Sequence, residues 1–144
     1  MIKQISIFAE NQKGTMLKMT GVLVDANINM YSLITNDSAE FGIIRMLVSD
    51  TDAALRCMQA AGYLCHVDTV VAAEIRDECG SLNALLETLS RGNVNLDYLY
   101  VTYAGGSGPS ALSKCPVAIL RTQDIMEVEG FLRSKGYNML ERLD

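Results

Sequence analysis

Apolar and polar residues change period along the chain in a fixed order, and that order predicts the elements. Residues 3–10 alternate, with Ile5, Ile7 and Ala9 on one side and Gln4, Ser6 and Phe8 on the other, the two-residue period of a strand. After a polar turn at 11–14 the period lengthens to that of a helix from Thr15, with Met16, Met19, Leu23 and Ala26 on one stripe. Asn27 ends it, because asparagine tolerates the left-handed conformation that closes helices. Residues 28–36 and 41–49 read as strands separated by a turn at 37–40. Asp50-Thr51-Asp52 offers capping oxygens to a helix that runs to Ala61; Gly62 stops it, and 63–67 is a fourth strand.

The same succession then returns. Residues 69–75 read as a strand and 81–91 as a helix with Leu82, Leu85, Leu86 and Leu89 on one face. Strands at 94–104 and 116–121 follow, then a helix at 124–135 burying Ile125, Val128 and Leu132. The repetition is in the residues themselves. A shift of 66 lays residues 11–33 on 77–99 without a gap, matching Gly14 to Gly80, Leu23 to Leu89, Asn27 to Asn93, Asn29 to Asn95 and Leu33 to Leu99. Gly136-Tyr137 echoes Gly62-Tyr63 at a shift of 74. The eight extra residues fall between the second and third strands, where 104–114 (AGGSGPSALSK) is rich in turn formers and reads as a surface loop, mobile by composition at 105–108.

The element order βαββαβ, twice over, predicts an α+β chain of two ferredoxin-like units, 1–68 and 69–144. Each unit is expected to carry an antiparallel sheet with both helices on one face. A lone core of that size supplies only ~3–5 kcal/mol. The two units are therefore expected to pack, burying open sheet faces or joining edges, and a symmetric homodimer would suit the short edge strands.

Composition removes several function classes. With 49% apolar and 20% charged residues the chain is globular rather than disordered. Its net charge is −5 and its basic residues are scattered, so there is no electrostatic footprint for a nucleic acid. No apolar run approaches the ~20 residues of a membrane helix, and the alternating start lacks a signal-peptide core, which makes the cytoplasm the default compartment. The cysteines at 57, 65, 79 and 115 form no CxxC, and His66 is the single histidine, so no metal set is expected. The cysteines read instead as small half-buried hydrophobes in a reducing compartment. Nothing marks a nucleophile elbow, and Gly105-Gly106-Ser107-Gly108 lacks the Gly-Lys-Ser/Thr of a phosphate loop. Glu127, Glu129, Glu141 and Asp144 read as solvated carboxylates. The expectation is a protein that is not an enzyme and uses no cofactor or metal.

The repeated loop is the candidate site. NQKG and DECG each lead from a strand into the first turn of a helix, whose amides lack partners within the helix and carry about half a positive charge. A small carboxylate can dock there, and Gly14 and Gly80 let it approach the backbone. A plainer reading stands beside this one: Asn11 and Asp77 cap their helices, the commoner use of such residues. Asn29 and Asn95, opening the next strand, are either turn residues or amides that donate to and accept from an amino acid. Lys13 adds charge in the first copy, whereas Cys79 holds that place in the second beside Asp77 and Glu78.

Asn11-Gln12-Lys13-Gly14-Thr15-Met16-Leu17 followed by Ala26-Asn27-Ile28-Asn29 resembles the signature of the ACT family. Asp77-Glu78-Cys79-Gly80-Ser81-Leu82 followed by Gly92-Asn93-Val94-Asn95 resembles it again, so the chain is similar to a tandem ACT-domain protein over nearly its whole length. Lys13 and Cys79 replace the proline often found before the turn glycine. The resemblance implies an amino acid bound at an interface between paired ACT units. Its site would use Asn11, Gln12, Lys13, Gly14, Thr15, Met16, Leu17, Asn29 and Met30, and in the second copy Asp77, Glu78, Cys79, Gly80, Ser81, Leu82 and Asn95. The chain also resembles free-standing ACT regulators and the small regulatory subunits of acetolactate synthase. They imply a free amino acid as ligand and an amino-acid metabolic enzyme or a regulator as partner. The alternative they carry is an assembly subunit of such an enzyme that senses nothing.

Overall fold

The computed structural model describes residues 1–36, 41–105 and 114–144. The turn expected at 37–40 and most of the insertion, 106–113, lie outside the described residues. The elements are β1 (Ile2–Glu10), α1 (Thr15–Asp25), β2 (Met30–Thr35), β3 (Phe41–Val48), α2 (Thr51–Ala60), β4 (Leu64–Glu74), α3 (Ser81–Arg91), β5 (Tyr98–Ala104), β6 (Cys115–Arg121) and α4 (Ile125–Ser134). Two compact units result: Lys3–Asp68, and Thr69–Asp144 together with Met1–Ile2. Within the first, β3 lies between β2 and β1, antiparallel to both. Within the second, β6 lies between β5 and the end of β4, again antiparallel, and Met139 bridges Ala73.

Each helix holds its unit by a narrow stripe. The fully or nearly fully buried apolar residues are Met19 and Leu23 on α1, Ala54 and Met58 on α2, Leu85 and Leu89 on α3, and Val128 and Leu132 on α4, always four apart. They meet Ile5, Ile7, Ala9, Ile44 and Met46 in one core, and Val71, Ala73, Ile75, Ala118 and Leu120, the same places one repeat later, in the other. The stripe is narrower than the sequence period predicts: Met16, Ala26 and Leu86 are exposed, and Leu82 and Ile125 are only half-buried. Gln4 and Ser6, on the polar side of β1, are buried too, and Gln4 Nε2 donates to Ser6 Oγ at 3.4 Å.

The four helices among the described residues close by one device. The left-handed residues Asn27 (φ 54°), Gly62 (φ 88°), Asn93 (φ 53°) and Gly136 (φ 92°) turn the chain. The amide after each donates back to the carbonyl five residues earlier: Ile28 to Leu23, Tyr63 to Met58, Val94 to Leu89, Tyr137 to Leu132. This bond explains why two strands start later than the alternation predicts. Ile28 and Val94 are spent on helix closure, so β2 begins at Met30, with a bulge between Met30 and Ser32, and β5 begins at Tyr98. The two strands expected at 63–67 and 69–75 are one strand, β4; the polar Asp68 at its middle is held by His66 Nε2 at 2.8 Å. Glu129 departs from expectation as well. It is largely buried, 2.8 Å from the α-amino group of Met1 and 3.1 Å from Arg133. Burial pushes its pKa up, but the amino group and Arg133 outweigh that and leave it below the usual carboxylate range.

Candidate functional site

Both helices that follow the repeated turn begin at a glycine. Gly14 (φ 85°) caps α1 and Gly80 (φ 91°) caps α3, each left-handed and each without a side-chain cap bond. The turn tightens because Thr15 N–H donates to Gln12 O at 3.2 Å and Ser81 N–H to Glu78 O at 3.3 Å. Asn11 and Asp77 are therefore not the N-cap residues; α2 shows the contrast, since Asp50 Oδ1 there accepts from Ala53 N–H at 2.9 Å. A Cβ placed on Gly14 or Gly80 would meet nothing within 4 Å, so the glycines answer a backbone demand and the space above them is open.

That space is a cleft in each unit. In the first, about 670 Å³, residues 12–15 and Lys18 face Phe8 and Glu10 at the end of β1 and residues 62–64 after α2. In the second, about 920 Å³, residues 76–81 face Glu74 at the end of β4, residues 114–116 at the start of β6, and residues 136–138 after α4. The clefts occupy equivalent places, because the closing turn of the second helix lies beside the end of the first strand in both units.

The structure gathers Gln12, Lys13, Gly14 and Thr15 in one cleft and Asp77, Glu78, Cys79, Gly80 and Ser81 in the other. Asn11, Met16, Leu17, Asn29, Met30, Leu82 and Asn95 do not line them. Asn29 stands at the far end of α1, an 11-residue helix and thus about 16 Å long. Its backbone is engaged with Ser49, accepting from Ser49 N–H at 2.9 Å and donating to Ser49 Oγ at 3.0 Å. Asn95 lines a smaller recess of about 260 Å³ with Thr122 and Asp124.

The second cleft holds a group that sequence reasoning missed. Glu74 Oε1 accepts from the Cys115 thiol at 2.9 Å and Oε2 from Asn138 Nδ2 at 2.7 Å. These two donors hold its carboxyl below the usual range against the opposing effect of burial. Burial, and then the carboxylate beside it, push the Cys115 thiol up from 9.0 to about 11. The only available signal was the echo of Gly62-Tyr63 in Gly136-Tyr137, which brings 138 to the place of 64. Cys79, read as half-buried, is exposed, and all four cysteines are free thiols.

The lone histidine does not complete a serine–histidine–aspartate triad with Ser6 and Asp68. His66 Nε2 contacts Asp68 Oδ2 at 2.8 Å, and Asp68 accepts from Ser6 Oγ at 3.5 Å. The carboxylate stands between serine and imidazole, whereas nucleophile activation needs the imidazole between the other two. Ser6 is also buried. Among the described residues no three His, Cys, Asp or Glu side chains are grouped to hold a metal, and no helix is long and apolar enough to cross a membrane.

Two βαββαβ units in tandem, each with a cleft at its strand-to-helix turn, define a duplicated ferredoxin-like α+β protein. The pattern of the ACT domain pair matches residues 1–125, and the chain belongs to that family. Among solved structures it is similar to protein BT0572 from Bacteroides thetaiotaomicron, with 28% identity and a TM-score of 0.84 over 96% of this chain and 91% of that one. The ligand-free regulatory subunit of aspartate kinase from Thermus thermophilus has the same fold at 11% identity, with a TM-score of 0.62 over 92% and 91%. The aspartokinase alpha and beta subunits share it at 17% identity, with a TM-score of 0.61 over 92% and 90%. No curated protein matches the chain.

Proposed function

We propose that the chain is a regulatory protein that holds a free amino acid at the turns 12–15 and 77–81 and transmits its presence to a partner enzyme or regulator. One observation carries this reading: an open cleft stands over each left-handed glycine at a helix start, and a glycine brings no side chain of its own to cap the helix. The ligand's carboxylate takes the first-turn amides and the partial positive charge of the helix. Charge-assisted bonds of ~1.5–3 kcal/mol each, less the cost of immobilising the ligand, leave millimolar to micromolar affinity. That suits a metabolite sensor.

Asn29 and Met30 cannot reach the turn of their own unit along the length of α1, so they join a site only from another unit. We assign that role to a second copy of the chain. The similarity in fold to a regulatory subunit of aspartate kinase supports a regulatory role over a catalytic one. Equilibrium dialysis against a pool of the twenty amino acids tests the reading. One or more should be enriched on the protein side; if none is, the assembly-subunit alternative takes its place.

A further inference from the structure

Position by position, the two clefts match in backbone and differ in chemistry. Phe8 of the first is Glu74 in the second, Leu64 is Asn138, Lys13 is Cys79 and Lys18 is Ala84, while Tyr63 and Tyr137 are unchanged. The first cleft therefore joins an apolar wall of Phe8, Tyr63 and Leu64 to two lysines and one carboxylate, Glu10. The second keeps Tyr137 but loses the rest of that wall and the two equivalent lysines. It gains three carboxylates, Glu74, Asp77 and Glu78, against Arg76 and Lys114, and Arg76 is engaged with Glu78 at 3.6 Å.

Resting on the reading that the clefts hold amino acids, we infer that they take different classes of them, and that Glu74 makes the second cleft selective for a cationic side chain. Glu74 is half-buried at the cleft wall, and its two oxygens are oriented by Cys115 and Asn138. Both donors are neutral, and among the described residues no lysine or arginine pairs with this carboxylate. Each carboxylate oxygen accepts two hydrogen bonds, so one position on each stays available. A half-buried anion without a countercharge favours a ligand that brings an ammonium or guanidinium, and disfavours an apolar one that would cover it. The first cleft presents the reverse: its lysines face the ligand's carboxylate, and its apolar wall takes an aliphatic side chain without leaving a polar group uncovered.

L-lysine and L-norleucine, whose side chains differ chiefly by one ammonium, separate these classes. Backbone amide NMR of the whole chain reports which cleft each enters, residues 12–15 or 77–81, and calorimetry gives the affinity. L-lysine should move the amides of 77–81 and bind there at least tenfold more tightly than L-norleucine, which should move those of 12–15. Glu74→Gln keeps the shape and should weaken L-lysine at least tenfold while leaving L-norleucine unchanged. Equal affinity of the two ligands at 77–81 in the unaltered chain overturns the inference whether or not the variant folds, as does a Glu74→Gln variant that binds L-lysine within twofold of the original. Either result leaves the amino-acid reading standing. If none of the twenty amino acids moves either set of amides, the inference and that reading fall together.

Discussion

The thiol of Cys115 donates to Glu74 Oε1 across 2.9 Å, tying the start of β6 to the end of β4 by a neutral acid and an ionised one. The two groups shift in opposite directions, which gives stability two edges. A thiol raised from 9.0 to about 11 binds its proton more tightly when folded, so its contribution is whole below pH 9 and is lost as pH rises towards 11. A carboxyl lowered from 4.5 contributes fully above that value and loses its contribution as pH falls through the folded value. Urea unfolding of Cys115→Ala should show a smaller loss of stability between pH 9 and 11 than the unaltered chain. Glu74→Gln should flatten the acid limb below pH 4.5.

A Cβ on Gly92 would stand 2.6 Å from the ring of Phe131. One repeat earlier the same two places hold Ala26 and Cys57, so the larger residue at the helix end pairs with the smaller one on the second helix. Gly92 has φ −80°, so alanine there is strained by the ring and not by the backbone. Gly92→Ala should cost about 1–3 kcal/mol, as overpacking does. Phe131→Cys should remove most of that penalty in a double-mutant cycle measured by denaturant unfolding.

Asn27, at φ 54°, closes α1 in a conformation that β-branched residues avoid. Asn27→Val should be about 1–2 kcal/mol less stable than Asn27→Gly. The same pair of changes at Asn93, at φ 53°, should give the same ordering. Equal stability of the two variants would mean that the left-handed residue is not what ends the helix.

The four-residue stripe predicts a sharp contrast along one helix. Leu23 is fully buried and Leu17 is 79% exposed. Leu23→Ala should cost about 2–5 kcal/mol, and Leu17→Ala no more than about 0.5 kcal/mol in either direction. Thermal or urea unfolding of the two variants checks this directly.

These cases show what the sequence made legible. The duplication, the order of elements and the helix ends were readable because Asn27, Gly62, Asn93 and Gly136 act through local backbone conformation. Strand starts were read too early because Ile28 and Val94 are apolar and in register, yet their amides are committed to the preceding helix. Met16 and Leu86 continue the helical period onto surface that the core does not cover. At the site, the turn glycines were readable for the same local reason as the helix ends. Asn29 stands a whole helix away from the turn of its own unit, and the family resemblance joins the two across an interface between units. Glu74, Cys115 and Asn138 were invisible because they meet only through strand order: 41 residues separate the first pair and 64 the second.

Thermal melting of the whole chain with each of the twenty amino acids in turn tests most directly whether the two turns hold a ligand. At a hundred times its dissociation constant, an amino acid bound to the folded state alone adds about 2.7 kcal/mol, which raises the midpoint by several degrees. The account predicts such a rise for at least one amino acid and none for the rest. A midpoint unmoved by all twenty would contradict it.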